Sequence, residues 1–317
     1  MPEQRQRLLI PLALFIAILA VSTASIFIRF AQRDAPSLVI AAYRLTLATL
    51  LLAPIALTRR RAELRALTRR ELGLALLSGF FLAMHFASWT TSLEYTTVAA
   101  SVVLVDSSPL WVALLSPLLL RERVTRYIVI GMVLAFFGGA LIGLSDACTW
   151  SADGLVCAPF ARFVQGRAFW GDFLALVGAW AVTGYLLIGR RLRAKMSLVT
   201  YIFLVYGMAA VVLVLIVLAM GAPLFGYPPM AYLWLFLLAL VPQLIGHSTY
   251  NWALRFLPAA FVAVTTLGEP IGSTILAYFL LDETPALLTL LGGALILAGI
   301  YIASKRVDAA PGGSQGT

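Results

Sequence analysis

The sequence predicts an all-α integral membrane protein, ten transmembrane helices in two inverted five-helix repeats, on three observations. Of its 317 residues 62% are hydrophobic and 12% charged, whereas soluble domains carry about 25% charged residues and about half apolar ones. The stretch Met196–Leu254 holds no Asp, Glu, Lys or Arg. As one helix it would run about 90 Å against roughly 30 Å of hydrocarbon, so it folds back at Gly221-Ala-Pro-Leu-Phe-Gly-Tyr-Pro-Pro229. Finally, the punctuating residues of one half recur 161 positions later: Pro109 on Pro270, Glu122 on Glu283, Gly131 on Gly292 and Gly138 on Gly299.

Charge-poor windows bounded by basic, Gly or Pro signals set the helices in order. The window 8–30 follows Arg5 and Arg7; it resembles a signal peptide at its start but is long enough to span. The windows 36–57 and 72–93 flank the arginine cluster Arg59 to Arg70, and 97–120 ends at Arg121-Glu-Arg123. The window 125–145 runs into a polar loop, 170–189 stops at Arg190 and Arg191, and 197–220 and 230–254 flank the Gly/Pro turn. The windows 258–281 and 285–304 are separated at Asp282-Glu-Thr-Pro285. The domain reading is a first repeat over 8–145, a loop over 146–169, a second repeat over 170–304 and a disordered tail over 305–317.

Eighteen Lys and Arg fall on the side of the N-terminus and four (Arg29, Arg33, Arg162, Arg167) on the other, with Arg44 inside a span. By the positive-inside rule both termini are cytoplasmic and the 146–169 loop is outside. The net charge of +9 therefore reads as orientation within the bilayer, and no basic face with interleaved aromatics points to nucleic acid. The two cysteines, Cys148 and Cys157, share the outer loop; a disulfide and two free thiols both fit. No metal-ligand spacing is present and no cofactor is expected.

Each half holds an odd number of helices, so the second starts from the opposite side and the repeat is inverted. Inverted repeats are the build by which carriers alternate access around a midplane site. The residues also resemble a known family. Trp89-Thr-Thr-Ser-Leu-Glu-Tyr-Thr-Thr-Val-Ala-Ala-Ser-Val-Val-Leu-Val105, Ser108-Pro109 and Leu120-Arg-Glu-Arg123 are similar to the EamA domain, as are Pro242-Gln-Leu-Ile-Gly-His247, Asn251-Trp-Ala-Leu254 and Leu267-Gly-Glu-Pro270. EamA domains belong to the drug/metabolite transporter superfamily, whose usual members carry two of them in ten helices. The resemblance implies secondary transport in the plasma membrane, often export of amino acids, related metabolites or drugs. Arg44 matches an arginine these domains often show in their second helix.

Ionisable groups inside spans are costly, roughly 2.5–3.5 kcal/mol each on insertion scales, and so mark sites. Glu269 precedes Pro270, which removes a backbone donor and is expected to free the Thr266 carbonyl. Glu269 binds a substrate amine or a proton, or else braces a neighbouring helix. Asp106, three residues before Pro109, tunes selectivity or pairs with Arg44 or a histidine. His85 and His247, the only histidines, sit in matching regions; each bonds solute, relays protons or serves as an interhelical contact. Arg44 pairs a substrate carboxylate through its planar fork, pairs Asp106, or reaches an interface. Trp89, Trp180, Tyr250 and Asn251 are the expected cavity wall, with Pro109 and Pro270 as helix kinks. The glycines of the fifth and tenth helices allow close helix contact.

No nucleophile elbow, HExxH or Gly-rich phosphate loop supports an intramembrane enzyme, and no ring of polar residues lines a pore. The expected activity is a carrier exporting a small metabolite such as an amino acid or related zwitterion, with multidrug efflux and metabolite uptake as alternatives. Its partners are a small-molecule substrate and the lipid bilayer. Protons are the candidate coupling ion, and monomer and homodimer both remain open.

Overall fold

The computed structural model describes residues 3–120, 126–151, 154–157, 165–257, 259–266 and 268–304. The Arg121-Glu-Arg123 break and the tail after Ser304 lie outside them. The chain is helical almost throughout. The first window is filled by α1 (Glu3–Ser22) and α2 (Ala24–Ala31), parted where Thr23 Oγ1 donates to the Ala20 carbonyl at 2.7 Å, a side-chain bond that competes with the helix. Next come α3 (Ser37–Arg59), the short α4 (Arg61–Ala66) and α5 (Arg69–Ser92). The last opens on a capping box in which Thr68 and Glu71 satisfy each other's backbone donors.

Two helical pieces, α6 (Val98–Val105) and α7 (Ser108–Leu120), precede α8 (Arg126–Ala147). The second half holds α9 (Arg167–Arg193) and α10 (Leu198–Ala219), then α11 (Pro229–Leu238), which passes through a π-helical stretch, Ala239–His247, into α12 (Ser248–Ala253). It ends with α13 (Ala259–Thr265), α14 (Gly268–Leu281) and α15 (Leu287–Ser304). In the turn between α10 and α11, Gly221 and Gly226 adopt φ of 66° and 98°, the left-handed region that glycine enters without a Cβ penalty.

Among the described residues seven helices are long and apolar enough to cross a membrane, and Val129–Gly139 and Leu287–Gly299 are shorter apolar helices. The helical pieces fall in all ten windows; the count of ten crossings itself rests on the sequence. One element departs from pure helix. In the 146–169 loop, β1 (Cys148–Ser151) pairs antiparallel with β2 (Gly154–Cys157), setting Cys148 opposite Cys157 along the backbone. The two cysteine side chains lie outside the described residues.

The repeat is visible in packing. A Cβ on Gly138 would stand 2.5 Å from the Gly292 carbonyl, and one on Gly299 would stand 2.6 Å from the Gly131 carbonyl. Gly138 corresponds to Gly299 and Gly131 to Gly292, so a single backbone contact occurs twice, as twofold-related halves require. It locks α8 against α15, where small residues let the backbones meet.

Candidate functional site

Both fourth-position helices of the repeats are interrupted near their middles, and the interruptions carry carboxylates. In the first half α6 stops at Val105, Asp106 and Ser107 form a turn, and α7 restarts at Ser108 with Pro109 in its first turn. In the second half α13 stops at Thr265 and α14 starts at Gly268, which puts Glu269 and Pro270 in its first turn. Proline is at home there, where N–H groups have no helical partner anyway. This corrects the expected kinks: Pro109 and Pro270 begin new helices rather than bend continuous ones. Nor is the Thr266 carbonyl freed, because it accepts the Glu269 N–H at 2.7 Å.

The interruptions face a common cavity, lined from the first half by His85, Trp89, Asp106 and Ser108 and from the second by Tyr185, His247, Tyr250, Thr266 and Glu269. Water-sized molecules have about 50 Å³ to occupy there, room for a few waters at roughly 10–15 Å³ each. A metabolite would need the walls to part.

Asp106 and Glu269 are both buried and line this same space. The Thr266 hydroxyl donates to the Ala263 carbonyl at 2.8 Å, and Asp106 Oδ2 has no hydrogen-bond partner. Trp89 Nε1 and Tyr250 Oη are likewise buried without one. Buried polar atoms are ordinarily satisfied, so three of them around one cavity mark a place built for solute or ordered water. The histidines, far apart in sequence, meet here with ring centroids 6.4 Å apart. His85 stacks on Trp89 at 5.9 Å and His247 meets Tyr250 edge-on at 6.5 Å. His85 Nδ1 lies 3.0 Å from the Gly178 carbonyl; a carbonyl only accepts, so Nδ1 carries the proton and Nε2 is left as an acceptor in the neutral ring.

Arg44 is fully buried one layer behind this wall, its guanidinium carbon 4.1 Å from the centre of the Phe86 ring and 5.9 Å from that of Trp89. Asp106 does not pair with it, contrary to that alternative. Its Nε donates to Gln243 Oε1 at 2.7 Å.

Two expected wall residues fall elsewhere. Trp180 is 43% exposed and packs edge-on against Trp111 and Phe173 on the outside of the bundle. Asn251 is buried behind the wall, where its Nδ2 donates to Tyr185 Oη at 2.5 Å and to the His247 carbonyl at 2.8 Å. It holds Tyr185 in place, while its Oδ1 is buried without a hydrogen-bond partner. Tyr185 is one of the aromatics the sequence offers for a cavity wall, but sequence reasoning prefers Trp180 to it; the Thr266 side chain and Gln243 are passed over. The signal for Gln243 was there: an amide inside a span must find a partner.

Carboxylates, histidines and unsatisfied polar atoms thus surround a closed cavity between two helical repeats, the place where a carrier built from inverted repeats would hold its solute. The comparisons bear on the family and the fold. The EamA-like transporter family model matches residues 8–144 and 169–305, and the chain belongs to that family. An uncharacterized transporter of Archaeoglobus fulgidus is 24% identical over 283 residues, 89% of this chain and 92% of that one. The pseudopaline exporter CntI of Pseudomonas aeruginosa is 26% identical over 298 residues, covering 92% of this chain and 95% of its own. A protein of known crystal structure, 20% identical, superposes with a TM-score of 0.65 over 94% of this chain and 98% of its own, which speaks for the fold alone.

Proposed function

We propose that this protein exports a small amine-bearing metabolite, an amino acid or related zwitterion, from the cytoplasm across the plasma membrane by alternating access. The observation that carries this reading is the convergence of Asp106 and Glu269, one from each repeat, on a cavity whose lining includes neither Lys nor Arg. Two buried carboxyls side by side are costly as two bare charges. A substrate ammonium group or a proton relieves that cost, so the site suits exchange of one for the other. Glu269, in the first turn of α14, has the helix N-terminus to stabilise its charge. It takes the amine, and Asp106 selects among amines. Arg44 faces the carboxylate end of the solute once the wall opens. The eighteen-to-four bias of basic residues supports cytoplasmic termini, and the 26% identity to a named exporter supports outward movement.

The test is an untargeted comparison of extracellular and intracellular metabolites in cells making the protein and in cells carrying the empty vector. A zwitterion enriched outside only when the protein is made is the expected result. Enrichment inside would reverse the direction to uptake. Changed tolerance to aromatic cationic drugs with no metabolite change would replace the reading by multidrug efflux.

A further inference from the structure

The polar residue that most directly touches Arg44 is one the transport reading has not used. Gln243 is completely buried and stands in the π-helical stretch Ala239–His247, directly after Pro242. Such wide turns recur at functional positions. Gln243 Oε1 accepts from Arg44 Nε at 2.7 Å, and the Phe86 ring lies under the guanidinium plane. With one edge bonded and one face covered, Arg44 is held in a single orientation. Its Nη1 and Nη2 have no hydrogen-bond partner although buried. The free edge is the one that grips a carboxylate bidentately.

A structural arginine in a span is normally satisfied by an acid or by several carbonyls. This one is held by a neutral amide, which fixes its position without cancelling its charge. From this we infer that Gln243 is a positioning residue: it presents the unbonded Arg44 fork to the carboxylate of the substrate and so sets the preference for zwitterions over plain amines. This rests on the exporter reading above and names which end of the solute Arg44 recognises. A carboxylate in place of the Gln243 amide would satisfy Arg44 from within the chain and remove that preference while leaving Asp106 and Glu269 to bind amines.

The experiment uses everted membrane vesicles carrying the full-length protein, its Gln243→Glu variant and its Gln243→Leu variant, matched for protein in the membrane. The vesicles are offered a mixture of the common amino acids and the amines made by decarboxylating them, and accumulation is read by mass spectrometry. The wild type is expected to favour at least one amino acid over its amine. Gln243→Glu is expected to lower that ratio by about tenfold to a hundredfold, the range set by one charge-assisted bond, with amine accumulation kept. Gln243→Leu, which adds no charge, is expected to lower it less, and it carries the test if the glutamate variant does not reach the membrane. A loss of stability alone would depress both probes together and leave the ratio unmoved, which would overturn the inference. A wild type that favours amines would also overturn it while leaving an exporter, and a wild type that accumulates neither would sink the zwitterion reading along with it.

Discussion

The two repeats agree in their backbone and differ in their charges. Gly138 meets Gly292 as Gly299 meets Gly131, and both fourth helices stop and restart at a proline. Yet the first half puts its acid on the turn itself, as the C-terminal cap of α6, while the second puts its acid inside the first turn of α14. A carboxylate is disfavoured at a helix C-terminus and favoured at an N-terminus. Arg44 has no charged counterpart in the second half, where the same region of α10 is apolar. The doubled features build the bundle, and on the proposed reading the unpaired ones distinguish what it carries.

If that division holds, changes at the acids are unequal and changes at the glycines are equal. The largest effect is expected from Glu269→Gln, a fall in transport of the exported compound by about a hundredfold; Asp106→Asn should cost about tenfold and alter the preference among amines, within the range of charge-assisted bonds. Initial rates in everted vesicles decide it, and equal losses would erase the distinction. Next, Gly138→Ala and Gly299→Ala should each destabilise by about 1–3 kcal/mol, the usual cost of overpacking. Gly139→Ala should be mild, because a Cβ there meets nothing closer than 3.9 Å. Thermal unfolding in detergent checks all three, and a large difference between Gly138 and Gly299 would count against twofold-related packing.

A smaller effect separates the two faces of the membrane. On one, Glu283 accepts from Arg29 at 2.8 Å and from the Val98 N–H at 2.9 Å, tying the first repeat to the second. On the other, Arg190 donates to the Leu254 carbonyl at 2.7 Å, and Glu63 of α4 accepts from the Ser197 N–H and hydroxyl at 2.7 and 2.6 Å, capping α10. Arg29→Ala should cost no more than about 1 kcal/mol, since the pair is partly solvated. Burial would raise the Glu63 carboxyl, but the bonds from Ser197, with Thr200 and Arg60 behind them, hold it below the usual carboxylate range. Its folded value is depressed, so its contribution to stability is complete near neutral pH and fades as pH falls through that value. Glu63→Gln should flatten the acid side of the stability profile. An unchanged profile would mean the cap contributes nothing.

Much of the fold was legible because lipid leaves few solutions: a run without charges must cross, and prolines and glycines mark where helices break and meet. The convergence of His85, His247, Asp106 and Glu269 followed from the repeat, which puts matched segments at a shared centre. Rotations about helix axes were not legible. Trp180 and Tyr185 sit five residues apart on α9, one facing out and one in, and apolar content all round such a helix gives no stripe to tell them apart. The π-helical stretch that brings Gln243 to Arg44 has no marker in the sequence beyond Pro242, so the partner of Arg44 could be looked for but not chosen.

The central claim is that solute passes through the cavity between Asp106 and Glu269. Ala263 is buried and lines it, so Ala263→Cys, with Cys148 and Cys157 changed to serine, places a single thiol at the proposed path. A small thiol reagent should then abolish export of the identified compound, and the compound itself should slow the labelling. Full labelling with export unchanged would contradict the account.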